Sequence, residues 1–127
     1  MTKVSRPTQA DIWFRVLLPS GALGPGKIAL MRAVVATGSV SGAARSLRMS
    51  HARSVKLVAE INALAPTPLI DTRAGGQSGG GALLTPLGLA IVDAYVGIEG
   101  SIRVAAQPTL DEVVRLLSAE LEGDDHQ

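Results

Sequence analysis

Cysteine is absent from the 127 residues, which excludes disulfides, thiol nucleophiles and zinc-thiolate sites. Aromatic residues make up only 2%, namely Trp13, Phe14 and Tyr95. So few rings disfavour an aromatic-lined ligand pocket or a base-stacking platform for single strands. The two histidines, His51 and His126, stand far apart and in no metal-ligand spacing. No apolar run approaches the ~20 residues that cross a bilayer. Met1 to Asp11 has no apolar signal core. The expectation from these absences is a cytoplasmic protein without metal or thiol chemistry. What is present, 46% hydrophobic and 18% charged residues, is globular composition at a length suited to one domain with an added helix.

Acidic residues are missing from one long stretch. Between Ile12 and Ala59 there is no Asp or Glu, but there are seven cations: Arg15, Lys27, Arg32, Arg45, Arg48, Arg53 and Lys56. From Asp93 onward there are eight acids and two arginines. Such a division points either to a polyanion-binding face or to two ordinary solvated surfaces, and the helix positions must discriminate.

Ile12, Phe14, Val16 and Leu18 alternate with Trp13, Arg15 and Leu17, which predicts a strand ended by Pro19-Ser20-Gly21. A helix is expected from Pro25 to about Ala36, with Ile28, Met31, Val34 and Val35 as its apolar stripe. Ser39 is placed to cap a second helix, Val40 to Leu47, whose core face is Val40, Ala43, Ala44 and Leu47. Ser50 is placed to cap a third, His51 to Ala65, buried through Val55, Val58, Ile61, Asn62 and Ala65 and showing Arg53, Lys56 and Glu60 outward. Pro66 and Pro68 forbid its continuation. Leu69 to Thr72 and Ala82 to Leu84 read as paired strands around a glycine-rich tip, Gly75 to Gly81. Thr85-Pro86 opens a long helix to about Ala105, with Leu87, Ile91, Tyr95, Ile98 and Ile102 on one stripe. Ala106-Gln107-Pro108 is expected to break it, and Thr109-Leu110-Asp111-Glu112 to cap a last helix.

The reading is therefore mainly α with a small β-hairpin: a winged helix-turn-helix plus a long C-terminal dimerisation helix. Residues 1–105 form the DNA-binding domain with its dimerisation helix, and 106–127 a C-terminal helix and acidic tail. A helix fits the roughly 12 Å major groove and presents its N-terminal residues to base edges. Here these are Ser50, His51, Ala52, Arg53, Ser54 and Lys56. Arg53 is suited to bidentate contact with guanine, Ala52 to a thymine methyl, and Ser50 and Ser54 to hydrogen bonds. Ser39 and Ser50 either only cap helices or also meet phosphate. His51 is either a groove contact or a packing residue, and Arg53 and Lys56 either read DNA or form a solvated face. Arg73, Gln77 and Ser78 place the hairpin over a neighbouring groove or backbone; the other reading is a plain flexible hairpin. The glycine run lacks the lysine and Ser/Thr of a P-loop, and no catalytic set is present, so no enzyme is expected. The apolar stripe of the long helix exceeds what three short helices can cover, so a homodimer through residues 86–105 is expected, with two reading helices ~34 Å apart or a multiple of that.

The segments Gly24-Pro25-Gly26-Lys27-Ile28-Ala29-Leu30, Thr37-Gly38-Ser39, Ala43-Ala44, Leu47 and Met49-Ser50 resemble the N-terminal domain of ModE-type regulators. So do Asn62 and Leu64, Gly75-Gly76 with Gly79-Gly80-Gly81-Ala82, and Leu84-Thr85-Pro86-Leu87-Gly88. These are molybdate-responsive bacterial transcription factors with a LysR-like winged helix, and the likeness covers roughly residues 12 to 105. The resemblance implies a homodimer on a palindromic operator in double-stranded DNA, with Ser50 to Leu64 as the recognition helix. The family often has aromatic residues where this chain has His51 and Val55, so a different operator is expected. Full-length members sense molybdate through a separate C-terminal region. No such region lies within the residues up to Gln127, so no cofactor is expected on this chain. The alternative function is a winged-helix protein-interaction adaptor without specific DNA readout.

Overall fold

A computed structural model describes residues 9–73 and 81–125, with side chains as far as residue 118. The chain forms β1 (Val16–Leu18), β2 (Gly21–Leu23), α1 (Pro25–Thr37), α2 (Val40–Ser46), α3 (His51–Asn62), β3 (Ile70–Asp71), β4 (Leu83–Leu84) and α4 (Pro86–Asp125). It is mostly helical, with two antiparallel hairpins, β1–β2 and β3–β4. The described residues divide into two compact units, one of residues 14–95 and the other of residues 9–13 with 96–125.

In the first unit α1 is the central element. Leu30, Met31 and Val34 are fully buried, and Ile28 and Ala33 nearly so. Val35, expected on the stripe, is exposed, and Leu30 and Ala33 are buried instead. A helix that meets neighbours on several sides is apolar over much of its circumference, so a single stripe underestimates its buried face. Here α2, α3 and β4 all pack against α1. The core is completed by Ala43 from α2, Leu57, Val58 and Ile61 from α3, and Leu69, Ile70, Ala82 and Leu84 from the second hairpin.

Local chemistry sets the helix ends. Pro25 stands in the first turn of α1, where its missing N–H costs nothing. Gly38 ends α1 in the left-handed conformation (φ 78°), its N–H donating to Val34 O at 2.8 Å. Gly38 O in turn accepts from Ala82 N at 2.8 Å, which ties the approach to β4 to the α1–α2 junction. The α3 helix ends at Asn62, three residues short of the expected Ala65. The Asn62 side chain ties this helix end to β3. Its Oδ1 accepts from Leu69 N and Ile70 N at 2.9 Å each, and its Nδ2 donates to Ile70 O at 3.1 Å. Ala63 N still donates to Ala59 O at 3.0 Å and Leu64 N to Ile61 O at 3.1 Å, so the last turn tightens before the chain leaves for β3.

Two expectations need correction. The strand expected over Ile12 to Leu18 is paired only from Val16, against Leu23, and β2 was unforeseen. The strand does end at Leu18, before Pro19, and Pro19-Ser20 also turns the chain into β2, with Ser20 Oγ donating to Leu64 O at 2.8 Å. The break at Pro108 does not occur, because α4 runs unbroken through it. An internal proline removes one N–H donor and crowds the carbonyl four residues earlier. The many helix-compatible residues on both sides outweigh that single defect. The proposed capping box at Thr109 therefore lies inside a helix, where Gln107 Nε2 donates to Asp111 Oδ1 at 2.8 Å.

Tyr95 closes the first unit. Its hydroxyl donates to Phe14 O at 2.8 Å, and the two rings stack with centroids 4.6 Å apart. In the second unit Arg103 grips Asp11 through two hydrogen bonds of 3.1 Å. Ile12 N donates to the same carboxylate at 2.8 Å, and together these hold it below the usual aspartate range. Val104, Val113, Val114, Leu116 and Leu117 are exposed. No described helix is long and apolar enough to cross a membrane.

Candidate nucleic-acid interface

The first turns of α2 and α3 carry most of the singled-out residues. Ser39 caps α2 by accepting from Gly42 N at 2.9 Å, and Ser50 caps α3 by accepting from Arg53 N at 3.1 Å. Each hydroxyl thereby satisfies one of the orphan N–H groups at a helix start. Ser50, His51, Ala52, Arg53 and Lys56 are exposed and Ser39 half-buried. Arg53 and Lys56, three positions apart, share a helix face. Among the described residues no carboxylate lies within 4.0 Å of Arg53 or Lys56.

Ser54 departs from expectation. It is fully buried, and its hydroxyl donates to His51 O at 2.6 Å. It therefore belongs to the inward face of α3 and presents nothing to a groove. Val55 is the converse case, expected in the core and found 50% exposed between Arg53 and Lys56. Leu57 takes the core position instead. The helix is rotated about its axis relative to the sequence reading.

Not every cation contributes to an outer face. Lys27 turns inward, donating to Ala22 O at 2.7 Å and standing 3.6 Å from Glu60. Arg45, Arg48 and Arg32 are exposed. Arg73, at the outer end of β3, is almost wholly exposed, 3.8 Å from Asp71. Gln77 and Ser78 lie outside the described residues.

An open cleft of about 390 Å³ runs along α3. Val55, Val58, Ala59 and His51 line it from α3, Val40 and Ser41 from the start of α2, and Thr72 and Gly81 from the ends of the second hairpin. It places His51 beside an apolar strip, edged by the α2 amino end. The four-residue spacing of His51 and Val55 was the available signal. Among the described residues no group of three or more His, Cys, Asp or Glu is placed to hold a metal ion.

No protein-family model matches the chain. It is 39% identical over 88 residues to the molybdenum-pterin-binding protein MopB of Rhodobacter capsulatus, covering 68% of this chain and 33% of that protein. It is 34% identical over 103 residues to the molybdenum transport protein ModE of Azotobacter vinelandii, covering 81% and 37% respectively. It is 31% identical over 71 residues to the DNA-binding transcriptional dual regulator ModE of Escherichia coli, covering 56% and 27%. The chain thus spans about a third of the length of the curated relatives it matches, and its homologues over that part are molybdenum-pterin-binding proteins and ModE regulators.

Proposed function

We propose that the chain is a sequence-specific DNA-binding transcriptional regulator of the winged helix-turn-helix kind, similar to the ModE N-terminal domain. In this reading α2 and α3 are the helix-turn-helix, the amino end of α3 enters the major groove, and the β3–β4 hairpin is the wing. The observation that carries it is the exposed Arg53 and Lys56 on α3, without carboxylate partners among the described residues, in a stretch free of acids from Ile12 to Ala59. Arg53 contacts a guanine edge, Ala52 and Val55 offer apolar contact to a thymine methyl, and Ser39 and Ser50 add contacts to phosphate beyond their capping bonds. Arg73 lies toward the wing side. Two copies joined through residues 86–105 of α4 present two such helices to a palindrome.

Molybdate is assigned to none of the described residues. An oxyanion cage needs donors converging from several elements, whereas Arg53 and Lys56 lie on an open helix face. The names of the relatives make a molybdenum-linked regulatory setting the natural one to test.

A second reading, a winged-helix interaction adaptor, draws on the exposed Val113, Val114, Leu116 and Leu117 of α4. Fluorescence anisotropy with genomic duplexes at two salt concentrations separates the two. A DNA binder loses affinity steeply with salt. Absence of binding to every duplex at low ionic strength would overturn the DNA reading and leave the adaptor.

A further inference from the structure

Resting on the reading just given, we propose that Arg48 is a phosphate contact of the α2–α3 turn, a position where the backbone favours glycine. The turn is a Schellman cap: Met49 N donates to Ala44 O at 2.9 Å and Arg48 N to Arg45 O at 3.1 Å. Arg48 occupies its left-handed position with φ 54°, and it is the only non-glycine with positive φ among the described residues. At the end of α1 the same conformation falls to Gly38. A residue with a Cβ pays a steric cost in this region that glycine does not. A helix-turn-helix turn often contains glycine for this reason.

The backbone bonds of the cap and the packing of Leu47 and Met49 on the core hold the turn, but they ask nothing of an arginine side chain. The Arg48 side chain is exposed, with no hydrogen bond and no carboxylate within 4.0 Å among the described residues. Its chemistry therefore points outward. Two residues on stands Ser50, the cap of α3, so Arg48 lies within about 8 Å of the helix start by chain length alone. Exposed Arg45 precedes it and exposed Arg53 and Lys56 follow. A guanidinium matches the geometry of a phosphodiester, a contact that positions the protein without reading sequence. Arg48 is thus distinguished from Arg53, which reads a base.

The test uses the whole chain with Arg48→Gly and Arg48→Lys, titrated by anisotropy against a selected operator duplex and a mixed-sequence duplex over a salt series. Arg48→Gly weakens binding to both duplexes several-fold by the same factor. It makes the slope of log affinity against log salt shallower by about 1. Its unfolding midpoint is unchanged or higher, because glycine suits the turn. Arg48→Lys keeps the wild-type slope. The assignment is overturned if Arg48→Gly binds as the wild type does, if its loss is confined to the operator, or if its unfolding midpoint falls. It is also overturned if Arg48→Lys loses slope as Arg48→Gly does. If the wild type itself binds neither duplex at low salt, the DNA-binding reading falls together with it. If the wild type binds and Arg48→Gly matches it, only the Arg48 assignment falls.

Discussion

The carbonyl oxygen of Leu69 fills the space beside Gly88: a Cβ on residue 88 would lie 2.2 Å from it. Thr85 N donates to the same oxygen at 3.0 Å, while its hydroxyl donates to Pro68 O at 2.9 Å, with Leu69 O 3.3 Å away, and caps α4 by accepting from Gly88 N at 3.0 Å. The run Leu84-Thr85-Pro86-Leu87-Gly88 thus has a mechanical meaning. Threonine ties the helix start to the entry of β3, and glycine lets the two backbones touch. Gly88→Ala forces backbone apart and costs about 1–3 kcal/mol or more. Gly97→Ala, with nothing within 4 Å of the added carbon, gains up to about 1 kcal/mol from helix propensity. Urea denaturation of both variants checks the contrast.

Asn62 is expected to be the costliest polar side chain to lose. Its replacement by leucine strands the N–H groups of Leu69 and Ile70, both buried, and each unsatisfied donor costs about 1–3 kcal/mol. Chemical denaturation should show a loss of at least about 2 kcal/mol. A near-neutral result would mean that β3 finds other acceptors.

Arg53→Ala should weaken binding to a selected operator by about 1–3 kcal/mol while leaving mixed-sequence affinity less affected. Selection from random duplex pools supplies the operator, and competition anisotropy measures the difference. Equal loss on both would make Arg53 a phosphate contact only.

Pro108→Ala restores the missing donor within α4 and relieves the crowding of the carbonyl of Val104. The variant should gain helical circular dichroism, and the new amide at residue 108 should exchange slowly with solvent. Rapid exchange would show that the helix is locally open around this position.

The Asp11 carboxyl is held below its ordinary value, first by the Ile12 N–H and then by Arg103. Since the folded value is the lower one, the stabilisation is fully present above the ordinary aspartate range. It is lost as pH falls through the depressed value. NMR titration should find Asp11 titrating below 3.8. Arg103→Gln should raise its value only part of the way, because the Ile12 N–H remains. An unchanged titration would remove the ion pair from the account.

Sequence by itself was sufficient for features whose physics is local. Ser39, Ser50 and Thr85 cap helices because a hydroxyl at that position meets an orphan N–H whatever surrounds it. Pro25 and Gly38 bound α1 through their own backbone preferences, and the acid-free stretch is plain composition. Tertiary structure decided which way each helix faces. Along α3, Val55, Leu57, Val58 and Ile61 are too evenly spread for periodicity to choose a side. Packing against α1, α2 and β3 buried Leu57 and Ser54 and left Val55 outward. The continuity of α4 through Pro108 was likewise beyond a local rule, since the cost of one lost hydrogen bond is weighed against the whole helix. Rotation about a helix axis is fixed by neighbours far away in the chain, and no window of sequence contains them.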